Sequence, residues 1–253
     1  MIAELSEREK LILDRLSADG SVSVCELARD LALSEVTIRG DLKVLENKGW
    51  INRKRGGAAP ALHRDILERQ RMYPEQKNTI ARAAADLVRD GDVIMIEAGT
   101  TTALIARYLA EKRDVHIVTN STLVFSYARM YPFLQITMTG GEFRRPTESL
   151  VGPIALETIA RLNVRLAFVG TDGFTLERGM TTHLMEGAEI VKAMETHAEN
   201  TVLVADSSKY GRVGFASVLP LSAMNLILTD EGLEEQAEAE LREAGIMVKK
   251  AYR

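Results

Sequence analysis

Five groups of small and polar residues recur between residues 97 and 209, each directly after a short apolar run. They are EAGTTT at 97–102, TNS at 119–121, GGE at 140–142, GTDG at 170–173 and DSSK at 206–209. Glycines, hydroxyls and free amide groups at the start of a helix suit an anion such as phosphate, and Lys209 adds a positive charge. Asp172 and Asn120 can bind sugar hydroxyls. Together the five groups predict a site for a phosphorylated sugar. Taken one at a time, the threonines could simply be helix caps, Asp172 could be part of an ordinary turn, and Lys209 could be a solvated surface charge.

The elements that must position these groups are strands and helices that alternate from Gln76 onward. Apolar runs predict strands at 93–96, 115–118, 134–138, 166–169, 201–205, 226–228 and 246–248, and helices are expected at 78–89, 103–111 and 123–130. Short buried strands separated by helices are typical of a mostly parallel α/β sheet. Ligands of such sheets bind beyond the carboxyl ends of the strands, so the five polar groups are expected along one rim.

A second pattern, in the N-terminal part of the chain, predicts a helix that reads DNA. In the segment 34–58, SEVTIRGDLKVLENKGWINRKRGGA, Ser34 is a good N-cap. Ile38, Leu42 and Leu45 recur at helical spacing and define a buried face. The other face and its flanks carry Glu35, Val36, Thr37, Arg39, Gly40, Lys43 and Asn47.

Two helices are expected before this one, at 7–18 and 24–31. Gly20 should end the first, which should bury Leu11, and Cys25 in the second is most simply a small core residue. A tight turn at 33–34 then completes a helix-turn-helix in which the third helix is the reader.

A basic hairpin is expected directly after the reader helix. Trp50 and Ile51 suit a short strand and the glycines at 56–57 suit a tight turn, which would place the cations of 53–55 near the tip. Between 34 and 57 the cations Arg39, Lys43, Lys48, Arg53, Lys54 and Arg55 outnumber the anions Glu35, Asp41 and Glu46, although the whole chain has a net charge of −4. Attraction to phosphate supplies much of the affinity for DNA, so this local patch favours DNA over the alternative, a helical domain that docks a protein.

The residues 34–39, 41–42 and 55–58 resemble the N-terminal winged helix of the DeoR family of bacterial transcriptional regulators. That family usually has two successive arginines where this chain has Arg39 and Gly40. Gly40 costs about 1 kcal/mol of helix stability relative to alanine and removes a long side chain from the groove-facing surface. It suggests a different operator, or a closer backbone approach to DNA. The resemblance implies a DNA-contacting set of Ser34, Glu35, Val36, Thr37, Arg39, Gly40, Lys43, Arg53, Lys54, Arg55 and Gly56.

The strand-end groups resemble the C-terminal sensor domain of the same family, which is similar to ribose-5-phosphate isomerase, so the likeness covers nearly the whole chain. The turn at 179–182 and the helix with Glu186, Glu189 and Lys192 match as well. Glu97 stands where the family often has aspartate, and this longer carboxylate could reshape the pocket. The resemblance implies a ligand-binding set of Gly99, Thr100, Thr101, Thr102, Thr119, Asn120, Gly140, Gly141, Asp172, Gly173, Glu189, Asp206 and Lys209.

The likeness to an isomerase raises the alternative of an enzyme. Aldose–ketose isomerisation needs a general base, for which Glu189 or Glu186 could serve with help from Lys209 and Asp206. A DNA-binding head argues for a sensor instead, and a scaffold that binds neither DNA nor ligand is the third class. The motifs GxxxxGK[ST], GxGxxG, HExxH and GxSxG are missing, and the four histidines have no metal-ligand spacing. We expect no catalytic residue, no cofactor and no metal.

Composition and length limit the expected location and domain organisation of the protein. The chain has 253 residues, 46% of them hydrophobic and 27% charged, with a single cysteine. No signal peptide and no membrane span is recognisable, which predicts a cytoplasmic protein. The expected domains are a winged helix-turn-helix at 1–58, a linker at 59–75 with a short helix at 63–72, and an α/β phosphosugar-sensing domain at 76–253. The expected function is repression of a carbohydrate operon by a dimer or tetramer that binds double-stranded operator DNA.

Overall fold

The computed structural model describes residues 5–19 and 22–252. The chain divides into two compact units, 1–68 and 69–253, which we call the helical unit and the sheet unit. Gly20, the expected end of the first helix, lies outside the described residues.

Three capped helices open the helical unit: α1 Glu7–Ala18, α2 Val24–Asp30 and α3 Glu35–Asn47. Each is preceded by a serine, at 6, 23 and 34, whose hydroxyl accepts the N–H group of the third helical residue. Ala32, with a φ of 52°, turns the chain between α2 and α3. This confirms the predicted helix-turn-helix, including the Ser34 cap.

The core of the helical unit lies among these helices and contains Ile12, Leu27, Ile38 and Leu42, all at 0% exposure. Two predictions about burial are wrong. Leu11 is 54% exposed, because the buried stripe of α1 runs through 9, 12, 13 and 16 and leaves position 11 on the outer side. Cys25 is exposed as well, since the core face of α2 is formed by 24, 27 and 28.

An antiparallel hairpin follows α3, with strands β1 Ile51–Lys54 and β2 Gly57–Pro60. Lys54 pairs with Gly57, so Arg55 and Gly56 form the turn, and Gly56 has a φ of +82°. Helix α4, Arg64–Arg71, comes next and spans the boundary between the units. Half of β2 and all of α4 therefore occupy residues expected to be a linker, within which α4 matches the short helix expected at 63–72.

The sheet unit is built on a seven-stranded, fully parallel sheet. The strands of the whole sheet unit are β3 Val93–Ile96, β4 Val115–Thr119, β5 Leu134–Met138, β6 Glu142–Arg144, β7 Ser149–Val151, β8 Val164–Val169, β9 Gly173–Thr175, β10 Gly179–Thr182, β11 Ala198–Val204, β12 Ala216–Ser217, β13 Leu226–Asp230 and β14 Val248–Ala251. Its helices are α5 Pro74–Ala85, α6 Thr102–Ile105, α7 Thr122–Ala128, α8 Pro153–Ile159, α9 Met185–Thr196 and α10 Glu235–Glu243. The large sheet has the order β14-β13-β11-β8-β3-β4-β5.

Apolar side chains from these elements form continuous cores. Helices α8 and α9 pack on Met95, Val118 and Ala167 of the central strands. Helices α9 and α10 pack on Leu203 and Ile227. The predicted parallel α/β architecture is confirmed, and its apolar strands are buried because helices cover the sheet.

Several predicted boundaries differ from the structure. Helix α5 begins at Pro74, because proline is favourable in the first helical turn, and ends at Ala85 rather than at 89. The helix expected at 103–111 is a four-residue α6 followed by a 3-10 turn at 106–109. Ile246 does not start β14; its N–H group closes the end of α10 on the carbonyl of Leu241 at 3.0 Å, after Gly245 turns the chain with a φ of +79°.

Two small antiparallel sheets join the large one and were not predicted. Strands β6 and β7 form a hairpin after β5, and β9, β10 and β12 form a three-stranded sheet after β8. Within the described ranges, no helix combines the length and the apolarity needed to cross a membrane.

Candidate functional site

The five polar groups follow five strands that are neighbours in the large sheet. In the order β11-β8-β3-β4-β5, these strands are followed by the groups at 206–209, 170–173, 97–102, 119–121 and 140–142. Because the strands are parallel, their carboxyl ends lie along the same edge. We call this edge, with its five groups, the strand-end rim. Of the predicted ligand-binding residues, all except Glu189 belong to it.

The loop after β3 presents unused backbone donors. Within the described chain, the structure records no hydrogen-bond partner for the amide N–H groups of Gly99, Thr100, Thr101 and Thr102. The following helix closes from Ala103, whose N–H group bonds to the carbonyl of Gly99 at 3.1 Å. Since α6 is only four residues long, an anion at this loop would be held by these local N–H groups rather than by a long helix dipole.

Glu97 at the start of this loop is a buried acid whose carboxyl makes a single hydrogen bond with the described residues. It is 9% exposed, and its Oε2 accepts the N–H group of Gly170 at 3.1 Å. Burial raises the pKa of Glu97 to about 8. The Gly170 hydrogen bond and the charge of Arg69 oppose this rise, whereas the charge of Asp172 adds to it.

Thr119 and Asn120, at the end of β4, use their polar atoms inside the protein. The Thr119 hydroxyl donates to the carbonyl of Ile96 at 2.5 Å. The Asn120 side chain accepts from the N–H group of Ala98 at 3.0 Å and donates to the carbonyl of Leu150 at 3.1 Å. Both residues are buried, with exposures of 0% and 1%; Thr119 ties β4 to β3, and Asn120 braces the β3 loop against β7.

Gly140 and Gly141, after β5, are required by the backbone. Their φ angles are +71° and +111°, which disfavour any other residue. A Cβ atom on Gly141 would lie 2.4 Å from the carbonyl oxygen of Val151. The pair therefore lets the chain reverse tightly into the β6–β7 hairpin.

Asp172 and Gly173, after β8, are tied to β10. The Oδ2 atom of Asp172 accepts the Thr182 hydroxyl and the His183 N–H group, both at 2.9 Å. A Cβ atom on Gly173 would lie 2.3 Å from the carbonyl oxygen of Arg212, so close backbone packing requires glycine here. These contacts hold the Asp172 carboxylate in a defined position at the rim.

Lys209, after β11, provides a cation that has no ion-pair partner among the described residues. The Lys209 backbone N–H bonds to the carbonyl of Asp206 at 3.0 Å, while its ammonium group makes no ion pair or hydrogen bond with the described residues. Asp206 is 2% exposed and accepts a hydrogen bond from the Ser208 hydroxyl.

Lys77 is a buried cation of this region that the sequence pattern did not single out. It is 4% exposed, and its Nζ donates to the carbonyl of Met72 at 2.6 Å and to that of Arg69. Burial lowers the pKa of Lys77 to about 8; Asp206 opposes this fall, whereas Lys209 and Arg69 add to it. A sequence signal existed, because Lys77 shares helical spacing with the buried residues at 80, 81 and 84.

Glu189 is the predicted ligand-binding residue that does not belong to the strand-end rim. It is exposed on α9, and its carboxylate pairs with Lys192 at 2.9 Å. No hydrogen bond or ion pair in the described chain joins Glu189 to the rim. The neighbouring Glu186 pairs with Arg144 at 3.0 Å, and its pKa is lowered by a hydrogen bond with its own backbone N–H and by Arg144.

The predicted DNA-contacting residues lie on exposed parts of α3 and of the β1–β2 hairpin. Val36 is 80% exposed, and a Cβ atom on Gly40 would meet no atom within 4 Å. Arg39 pairs with Glu35 at 2.9 Å, one helical turn away. The remaining cations, Lys43, Arg53, Lys54 and Arg55, are exposed and have no ion pair with the residues that the structure describes.

The two compact units match two family models. Residues 8–61 match a DeoR-like helix-turn-helix domain, and residues 73–231 match a DeoR C-terminal sensor domain.

Whole-length relatives have names of transcriptional regulators. The regulator GlpR of Haloferax volcanii is 34% identical over 250 residues, covering 96% of both chains. A protein of Escherichia coli O157:H7 with the provisional name aga operon transcriptional repressor is 32% identical over 249 residues, covering 96% of this chain and 93% of its own length. Among solved structures, ribose 5-phosphate isomerase A of Methanocaldococcus jannaschii is 22% identical over 54% of each chain, with a TM-score of 0.41.

Proposed function

We infer that this chain, which belongs to the DeoR family of transcriptional regulators, represses a carbohydrate operon and responds to a phosphorylated sugar bound at the strand-end rim. As a member of the family it has a DNA-binding helix-turn-helix domain and a sugar-phosphate sensor domain. The sign of regulation, the ligand-contacting residues and the coupling between binding events are our proposal. A relative provisionally named as a repressor supports the sign.

The observation that carries the proposal is the combination of unused donors at the rim. Four backbone N–H groups of the β3 loop lack partners within the described residues, and so does the ammonium group of Lys209. Buried or half-buried donors of this kind are normally paired. A phosphate dianion would satisfy both the amide groups and the cation.

The sugar part of the ligand is assigned to the acidic side of the rim. Asp172 keeps one carboxylate oxygen, Oδ1, without a recorded hydrogen bond among the described residues, while Oδ2 is held by Thr182 and His183. A carboxylate fixed on one side and open on the other suits a sugar hydroxyl. Thr119, Asn120, Gly140, Gly141 and Gly173 support the site by positioning its loops.

DNA binding is assigned to α3 and the basic hairpin. Phosphate contacts from Lys43, Arg53, Lys54 and Arg55 would supply affinity that falls as salt rises. Side chains on the exposed face of α3 would contact base edges in the major groove. Helix-turn-helix proteins usually bind two half-sites as dimers, so we propose a homo-oligomer that acts on DNA in the cytoplasm.

Turnover of the sugar is the less supported function. An isomerase base must reach the substrate carbons, whereas Glu189 lies on an exposed helix face in a pair with Lys192. We therefore assign the rim to sensing.

A thermal-shift screen tests the proposal. Selective binding to the native state raises Tm by mass action. We expect phosphorylated sugars to raise Tm and the same sugars without phosphate to leave it unchanged. The Lys209→Ala variant should lose the shift, and Lys249→Ala, which removes an exposed lysine from β14, should keep it. Equal shifts in both variants would show that the anion binds elsewhere.

A further inference from the structure

Glu97 and Thr102 lie together at the β3 loop, and the protein does not satisfy either side chain completely. The Thr102 hydroxyl is fully buried and has no hydrogen-bond partner among the described residues. Within the same described residues, the Glu97 carboxyl accepts one hydrogen bond, from the N–H group of Gly170. Buried polar atoms almost always have partners, so this pair retains capacity to bind a ligand atom.

Two glycines keep space open beside the pair. A Cβ atom on Gly99 would lie 2.8 Å from the Thr102 hydroxyl oxygen and 3.9 Å from Glu97 Oε2. A Cβ atom on Gly170 would lie 3.4 Å from the same Glu97 oxygen. The pair is therefore adjacent to the loop whose N–H groups are unused, and a side chain at either glycine would crowd it.

The charges around Glu97 decide which of its protonation states is compatible with an anion. Asp172 after β8 and Arg69 of α4 are the charged groups that act on it. Further along the rim are Asp206 and Lys209 after β11, with Lys77 of α5. An ionised Glu97 would place a second carboxylate charge beside that of Asp172 and repel an anion at the loop, whereas a neutral Glu97 would not.

We propose that Glu97 binds the effector as a neutral carboxylic acid, donating a hydrogen bond beside Thr102 to an oxygen of the phosphorylated sugar, and that ionised Glu97 excludes the anion. This inference rests on the proposed sensor function of the rim. It adds that binding of the effector is coupled to protonation of the Glu97 carboxyl. A buried carboxyl with one hydrogen bond and a carboxylate neighbour keeps its proton to higher pH than an exposed one. A bound anion favours the neutral form further, so binding and protonation of Glu97 strengthen each other.

The pH range of the effect follows from the titration of Glu97. Since burial raises its pKa to about 8, the affinity for an anion should be greatest below that value and fall above it. If only the neutral form binds, affinity falls about tenfold for each pH unit beyond the titration. Lys77 loses its charge in a similar range, because burial lowers its pKa to about 8, and contributes its own decline.

Sulfate is a suitable probe, because it stays a dianion throughout the range. We would label the protein with [5-¹³C]glutamate and with ¹⁵N, and assign the Glu97 carboxyl signal by its absence in Glu97→Gln. The signal should titrate near pH 8, and sodium sulfate should move its midpoint upward relative to sodium chloride at equal ionic strength. A midpoint near 4.5, the ordinary value for glutamate, or one that sulfate leaves in place, would overturn the proposal.

The amide signals of Gly99 and Thr100 in the same samples separate this inference from the proposed function. If these signals shift saturably with sulfate while the titration midpoint of Glu97 does not move, the β3 loop binds the anion but binding is not coupled to protonation of Glu97. If they do not shift, the anion site itself fails.

Two variants isolate the contribution of Glu97. Between pH 7 and 9, sulfate affinity should decline less steeply in Glu97→Gln than in the wild type, leaving the part due to Lys77. Glu157→Gln, an equivalent change on the exposed face of α8, should keep the full decline. Equal slopes in Glu97→Gln and the wild type would contradict the proposal.

Discussion

The buried Nζ atom of Lys77 donates to the backbone carbonyl of Met72 at 2.6 Å, closing the corner between α4 and α5. A second bond reaches the carbonyl of Arg69. The guanidinium of Arg69 in turn donates to the carbonyl of Pro146, in the loop of the β6–β7 hairpin, at 2.6 Å. These bonds tie the first residues of the sheet unit to the β6–β7 hairpin.

Replacement of Lys77 by methionine should change how stability depends on pH. The pKa of Lys77 in the folded protein, about 8, lies below its ordinary value of 10.5. Between these values the unfolded chain binds more protons, so the free energy of unfolding of the wild type rises with pH, by on the order of 3 kcal/mol at most. Urea unfolding at pH 8 and at pH 10.5 should show this rise, and Lys77→Met should lack it. An equal rise in the variant would contradict the burial of the charge.

Arg39→Ala should weaken specific DNA binding by about 1–3 kcal/mol, as expected for loss of a base contact. Its partner Glu35 lies on the same exposed face, so the fold should tolerate the change. Fluorescence anisotropy on a selected operator duplex measures the loss. Lys10→Ala, which removes an exposed cation from α1, serves as the control and should bind DNA normally. Loss of the thermal shift with sugar phosphates in Arg39→Ala would instead indicate unfolding.

Gly40→Ala should stabilise the helical unit while weakening DNA binding. Alanine is favoured over glycine inside a helix by about 1 kcal/mol, and a Cβ atom here meets nothing within 4 Å. The fold therefore does not require this glycine, which favours a close backbone approach to DNA. Calorimetry should show a higher Tm, and anisotropy a lower affinity for the operator. A Gly40→Ala protein that is more stable but binds the operator with unchanged affinity and sequence preference would show that Gly40 does not contact the DNA.

Thr102→Val should separate stability from ligand binding. Valine keeps the shape of threonine but removes a buried hydroxyl that has no partner in the described chain, so stability should stay equal or rise by about 1 kcal/mol. The thermal shift with phosphorylated sugars should shrink. Thr158→Val on the exposed side of α8 is the matched control. A full ligand response in Thr102→Val would show that the hydroxyl has no role in binding.

The sequence predicted the parts of the fold that depend on local pattern. Apolar runs located the strands of the large sheet because both of its faces are covered, and Ser34 caps its helix as its residue type predicted. The two strands of the β6–β7 hairpin were not predicted, because three residues are too few to show a periodic pattern.

The site was predicted less completely, because its details depend on tertiary contacts. The residue type of Asn120 predicts that it binds a sugar hydroxyl. Its side-chain amide is instead hydrogen-bonded within the protein, accepting from the N–H group of Ala98 and donating to the carbonyl of Leu150. The burial of Lys77 depends on two carbonyl groups at the end of α4, which no local pattern specifies. Glu189 illustrates the converse, since its motif matches but the described residues show no hydrogen bond or ion pair between its side chain and the rim.

The central claim is that occupancy of the strand-end rim controls DNA binding. The most direct measurement is operator affinity by fluorescence anisotropy, with and without the phosphorylated sugar that gives the largest thermal shift. The account predicts at least a fivefold change in Kd for the wild type, in the range of typical allosteric coupling, and none for Lys209→Ala. An unchanged Kd in the wild type, with every sugar phosphate that raises its Tm, would contradict it.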